Sequence, residues 1–120
     1  MLPGRLSVCR TFGDFEAKVI ERGGNPKVVI AIPEIKNFDI DEKHDFVFMG
    51  CDGIFDVMSN GDVVKTIWQS AHDEHSANIH DMTATAVEYI IKNVYVRKAM
   101  DNVTAVVVSF ANFKRKILNG

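Results

Sequence analysis

Apolar and polar positions along the chain alternate between two periods. Leu6 to Arg10 is a short strand candidate, broken by Gly13-Asp14. Gly23-Gly24-Asn25-Pro26 reads as a loop, because two glycines and a proline do not sit inside an element. Lys27 to Ile32 is rich in β-branched residues and predicts a strand closed by Pro33. Asp39 to Lys43 carries three acids in five residues and reads as a turn. Asp45 to Cys51 is nearly continuous in apolar side chains, the pattern of a strand covered on both faces. Asp52-Gly53 ends it.

The period then changes. Ser59-Asn60-Gly61-Asp62 has the residues of a helix start, and Val63, Val64, Ile67, Trp68 and Ala71 follow at helical spacing. His72 to Asn78 is a polar break. Ile79 to about Val96 predicts a second helix, with Met82, Ala86, Tyr89, Ile90 and Val94 on one face. Val103 to Phe110 returns to a strand pattern, and the basic end Lys114-Arg115-Lys116 reads as a frayed, solvated tail. The predicted order is β, β, β, α, α, β. It places the chain in the α+β class, with a mostly antiparallel sheet and a helix pair on one side. Strands this apolar need more cover than two helices supply, which suggests that part of the core comes from elsewhere.

Composition narrows the function without naming it. The 120 residues are 47% apolar and 25% charged, ordinary for a globular domain. A formal charge of −2 and a pI near 6.0 argue against a nucleic-acid or membrane-surface binder. The longest apolar stretch is too short to span a bilayer, and the first five residues lack the apolar core of a signal peptide. The only cysteines, Cys9 and Cys51, stand outside any CxxC or zinc spacing. The expected setting is intracellular and reducing, cytoplasmic or nuclear.

Two carboxylates stand at strand ends. Asp52 directly follows the most apolar strand, and Asp101-Asn102 directly precedes the other strongly apolar one. If those strands are neighbours, their tips bring two acids together, an arrangement that repels unless a cation lies between. Hard dications such as Mg²⁺ or Mn²⁺ take oxygen ligands of this kind, and Gly53 leaves room for close approach. From spacing alone, the plainer reading is a turn at Asp52-Gly53 and a cap at Asp101. His72, His75 and His80 read as solvated residues around a helix break, not as a metal cluster, and Trp68 as core.

Four blocks of sequence then point to a family. The run from Phe46 to Val64, containing Cys51-Asp-Gly-Ile-Phe-Asp-Val57, resembles the metal-dependent serine/threonine protein phosphatases of the PP2C type. So do Leu6-Ser-Val-Cys-Arg-Thr-Phe-Gly-Asp14, Ile32-Pro-Glu-Ile35 and Asp101-Asn-Val-Thr-Ala-Val-Val-Val108. They occur in the family's order over roughly residues 4–110. The resemblance implies part of an αββα sandwich, with residues 1–113 forming the C-terminal portion of the phosphatase domain and 114–120 a tail. It implies that Asp52 and Asp101 bind Mg²⁺ or Mn²⁺, and that metal-activated water attacks the phosphorus of a phosphoserine or phosphothreonine in a protein substrate. By the same resemblance Arg10, Asp14, Gly53, Asp56 and Asn102 support the site's loops.

The resemblance covers only the C-terminal half of that domain. The early acidic pair, the Asp-Gly-His-Gly run and the phosphate-holding arginine of the family have no counterpart here. Cys9 stands where the family has Ser or Thr and is expected to be a small buried residue. Val94 to Met100 stands where the family has a Gly/Ser-containing turn. Two further readings therefore accompany the phosphatase reading. One is a non-catalytic PP2C-like binding module. The other is a chain that self-associates, or awaits its missing half, through uncovered apolar surface.

Overall fold

A computed structural model describes residues 3–73 and 78–119. The chain forms two compact units, one up to Asp39 and one from Ile40 onward.

In the N-terminal unit the two expected strands, Leu6–Arg10 and Lys27–Ile32, do not form. They meet at a single parallel bridge between Arg10 and Ile30. There Ile30 N–H donates to the Cys9 carbonyl and Thr11 N–H to the Ile30 carbonyl, each at 2.9 Å. The cause lies in Asn25. Its carbonyl takes the amides of Val28 and Val29, and its side chain takes that of Lys27. Half of the β-branched run is thereby wound into a turn, and Pro33 has no amide to extend the ladder. Cys9, expected to be buried, is exposed, because the run that carries it is covered by no sheet. A short helix, α1 (Phe15–Lys18), buries Ala17, and Val29 is the other buried apolar residue among the described residues of this unit.

The C-terminal unit is α+β. Strands β1 (Phe46–Gly50) and β2 (Ala105–Ser109) pair antiparallel, Phe48 opposite Val107. Between them run α2 (Asp52–Phe55), α3 (Asn60–Asp73) and α4 (Ile79–Val96). Met82, Ala86, Ile90 and Val94 recur every fourth residue along α4 and are all buried. Ala86, Ile90 and Val94 share one core with Val63, Ile67 and Ala71 of α3 and with Ile54 and Met58. Helix α3 starts on a reciprocal cap. Ser59 Oγ accepts the Asp62 amide, and the Asp62 carboxylate accepts the Ser59 amide, both at 3.1 Å.

The sheet is covered on one face only. Phe46, Phe48, Ala105 and Val107 pack on the helices, whereas Met49, Val106 and Val108 remain 50%, 42% and 43% exposed. Among the described residues of the C-terminal unit, the expectation of a strand buried on both faces is not met.

The basic end is not a frayed tail. Residues Ala111–Asn119 form a helix, α5. Phe113 is fully buried in the core, and the carboxylate of Asp45 receives Asn112 Nδ2 and Lys116 Nζ. Among the described residues no helix is long and apolar enough to cross a membrane.

Candidate metal centre

The candidate centre forms where the C-terminal end of β1 meets the N-terminal end of β2. Cys51 continues β1 in extended backbone and donates its amide to the Thr104 carbonyl at 3.3 Å. Its thiol spans the same gap, donating to the Asn102 carbonyl at 3.2 Å and accepting the Thr104 amide at 3.3 Å. Gly53 is buried hard against the second segment. A methyl group on its Cα would stand 2.2 Å from the Asn102 carbonyl oxygen. Cys51-Asp52-Gly53 and Asp101-Asn102-Val103 are thus in direct contact, although fifty residues separate them.

The acids at the ends of these segments share one local geometry. Asp52 Oδ1 accepts the amide of Gly53 at 3.0 Å, and Asp101 Oδ1 accepts that of Asn102 at 2.7 Å. Both carboxylates are exposed, and their Oδ2 atoms have no partner among the described residues. The run Asp52-Gly53 is therefore the first turn of α2 rather than an open turn. A cavity of about 350 Å³ opens beside Asp101, lined by Gly53, Asp56, Lys98 and Met100 among others but not by Asp52. No group of three His, Cys, Asp or Glu side chains gathers as a metal cluster among the described residues. His72 and His80 are exposed on α3 and α4, and His75 lies outside the described residues.

The segment before Asp101 closes its turn without glycine. Lys98 takes the left-handed conformation (φ 60°). Its amide bonds the Tyr95 carbonyl at 3.0 Å, and that of Ala99 bonds the Val94 carbonyl at 3.3 Å, a Schellman termination of α4. A lysine there costs about 1–2 kcal/mol relative to glycine in backbone strain.

Sequence reasoning missed Arg97. Its Nη1 donates to the Val57 carbonyl at 2.8 Å and to Asp62 Oδ2 at 3.1 Å. The Asp62 carboxyl is held below its ordinary pKa, first by the Ser59 backbone amide, then by the Arg97 side chain, then by the Ser59 hydroxyl. A depressed carboxylate stabilises the fold fully above its unfolded-chain value near 3.9 and loses that contribution as pH falls through the lower folded value. Denaturant unfolding of the wild type and Asp62→Asn should therefore differ most near neutral pH. The gap should narrow below about pH 4.

Arg10 and Asp14 belong to the N-terminal unit. The Arg10 guanidinium donates to the Ile32 carbonyl at 2.8 Å and to Glu34 Oε1 at 3.2 Å, so the Arg10 block and the Pro33-Glu34 block are physical partners. Asp14 has left-handed backbone at the start of α1, and Lys18 Nζ ties the loop before it through the Thr11 and Gly13 carbonyls.

The family model for protein phosphatase 2C matches residues 2–103. The chain belongs to the protein phosphatase 2C family. Among its relatives, probable protein phosphatase 2C 72 of Arabidopsis thaliana is 35% identical over 92% of this chain, and probable protein phosphatase 2C 67 of Oryza sativa subsp. japonica 32% over 91%. Protein phosphatase 1B of Rattus norvegicus is 28% identical over 91%. The PP2C chain spans only 30%, 26% and 27% of those three relatives. No solved structure matches it at a significant level.

Proposed function

We propose that this chain contributes Asp52 and Asp101 as metal-binding carboxylates of a PP2C-type serine/threonine phosphatase site, the remaining groups coming from sequence it does not contain. The packing of Gly53 against Asn102 carries this reading, because it makes the two acid-bearing segments one contiguous surface. The donor set fits Mg²⁺ or Mn²⁺: anionic oxygens, exposed, with one oxygen of each acid already oriented by a backbone amide. When bound, such a cation acidifies water and offsets phosphoryl charge. The chain's own residues hold the carboxylates. Cys51 fastens β1 to the Asn102–Thr104 backbone, and the amides of Gly53 and Asn102 fix one oxygen each. Asp56 and Lys98 border the cavity open to a phosphorylated side chain. The substrate class is a phosphoserine or phosphothreonine protein, and the setting is intracellular.

Two carboxylates make a weak site. Titration of Mn²⁺ into the chain, followed by electron paramagnetic resonance, should give a Kd of about millimolar order. Asp52→Ala and Asp101→Ala should each abolish it. Saturable binding unchanged in both variants would refute the assignment. The full-length gene product should release phosphate from phosphoproteins only with Mn²⁺ or Mg²⁺.

The family blocks missing from the chain favour a second reading, a non-catalytic binding module. Metal-dependent turnover by these 120 residues alone would end it. The half-covered sheet supports a chain that needs further cover, from its missing portion or from another copy.

A further inference from the structure

Asp52 opens α2, and Asp101 hangs from the loop that follows α4. The contacts of Cys51 and Gly53 join the two segments on the strand side. A second bridge joins them from the helical side. Val57 lies five residues after Asp52, and Arg97 four residues before Asp101. The guanidinium of Arg97 spans the gap, bonding the Val57 carbonyl and the Asp62 carboxylate through one nitrogen. Neither acceptor is loose. Asp62 is locked in the reciprocal cap with Ser59, and the Val57 amide bonds the Ile54 carbonyl at 3.1 Å.

Directly after Arg97 the chain reverses through the left-handed Lys98. Between there and Asp101 only Ala99 packs against the core and bonds back to the Val94 carbonyl, whereas Met100 is 98% exposed and Lys98 is exposed too. Arg97 is thus the last polar side-chain anchor before Asp101, and it is fastened to the turn that leaves α2.

We propose that Arg97 is a positioning residue for the carboxylate pair: by clamping the end of α4 to the α2–α3 turn, it sets where Asp101 stands relative to Asp52. The inference rests on the metal reading of those two acids. It assigns Arg97 no contact with substrate or metal. Groups that orient metal ligands without touching the metal commonly change affinity by about 10–100-fold.

The test is Mn²⁺ affinity, measured on the whole chain at a temperature where circular dichroism shows every variant folded. Arg97→Met should weaken binding about tenfold, and Arg97→Lys, whose ammonium can reach the same two acceptors, should restore most of it. If Arg97→Met does not fold, Arg97→Gln, which keeps a shorter polar donor, takes its place with the same expectation. In the metal-free chain, amide exchange at Asn102 should quicken in the weakened variant and return to the wild-type rate in Arg97→Lys. A lower unfolding midpoint with wild-type affinity and wild-type exchange at Asn102 would overturn the proposal, leaving Arg97 as a fastener of α4 to α3 alone. Wild-type protein that binds Mn²⁺ no better than Asp52→Ala would instead overturn the metal reading beneath it.

Discussion

Gly53→Ala should destabilise the C-terminal unit by about 3 kcal/mol or more, beyond the usual range for a single added methyl group. The new Cβ would lie 2.2 Å from the Asn102 carbonyl oxygen and 3.1 Å from its carbon. Both are backbone atoms, so no side-chain rotation relieves the clash. Gly53 sits inside α2 with no positive φ. Its requirement is therefore one of space, not of backbone freedom. To admit the methyl group, Asn102 would have to withdraw from α2, breaking the Cys51 thiol bond and moving Asp101 with it. Stability and Mn²⁺ binding should fall together. Gly61→Ala is the matching control. It lies in the first turn of α3, where a Cβ would meet only Ser59 Oγ at 3.8 Å. There alanine should stabilise by about 0.5–1 kcal/mol. Urea unfolding of the two variants decides the point. Equal, small effects would mean that the two acid-bearing segments are not in contact.

What the sequence reveals here is what depends on neighbours three or four residues away. The stripe Met82, Ala86, Ile90, Val94 is legible because a helix surface repeats at that spacing. Strands β1 and β2 are legible as two apolar runs, but whether they are neighbours is not, because their pairing joins residues about sixty positions apart. The runs 6–10 and 27–32 mislead for a physical reason. Side-chain propensity favours a strand, but the Asn25 carbonyl takes the amides of Val28 and Val29 first. The candidate site divides in the same way. Asp52 and Asp101 stand out by their positions at strand ends and by their motifs. Arg97 does not, because its partners lie 40 and 35 residues away and one of them is a backbone carbonyl. Any residue type can supply that acceptor, so no pattern in the chain marks it.

Phe113→Ala should cost about 3–5 kcal/mol, and it tests the element that the basic composition of the chain's end conceals. Lys114, Arg115 and Lys116 suggest a solvated tail, yet Phe113 and Ile117 stand four apart and face inward. The Phe113 ring is fully buried and meets Phe46 at 5.2 Å and Trp68 at 5.1 Å, both edge-on. Alanine would leave an aromatic-sized void between β1 and α3, walled by side chains that the sheet and helix hold in place. Phe113→Leu, closer in volume, should cost under about 1.5 kcal/mol. Lys114→Ala, exposed on the opposite face, should change stability by less than about 0.5 kcal/mol. Phe46 begins the strand whose far end carries Cys51 and Asp52. Loosening α5 should therefore weaken metal binding only as far as it unfolds the unit. Folded Phe113→Ala protein, held well below its midpoint, should bind Mn²⁺ as the wild type does. That separates it from Gly53→Ala, where the site is distorted even in the folded fraction. A cost under about 1 kcal/mol for Phe113→Ala would return α5 to the frayed tail that its charges suggest.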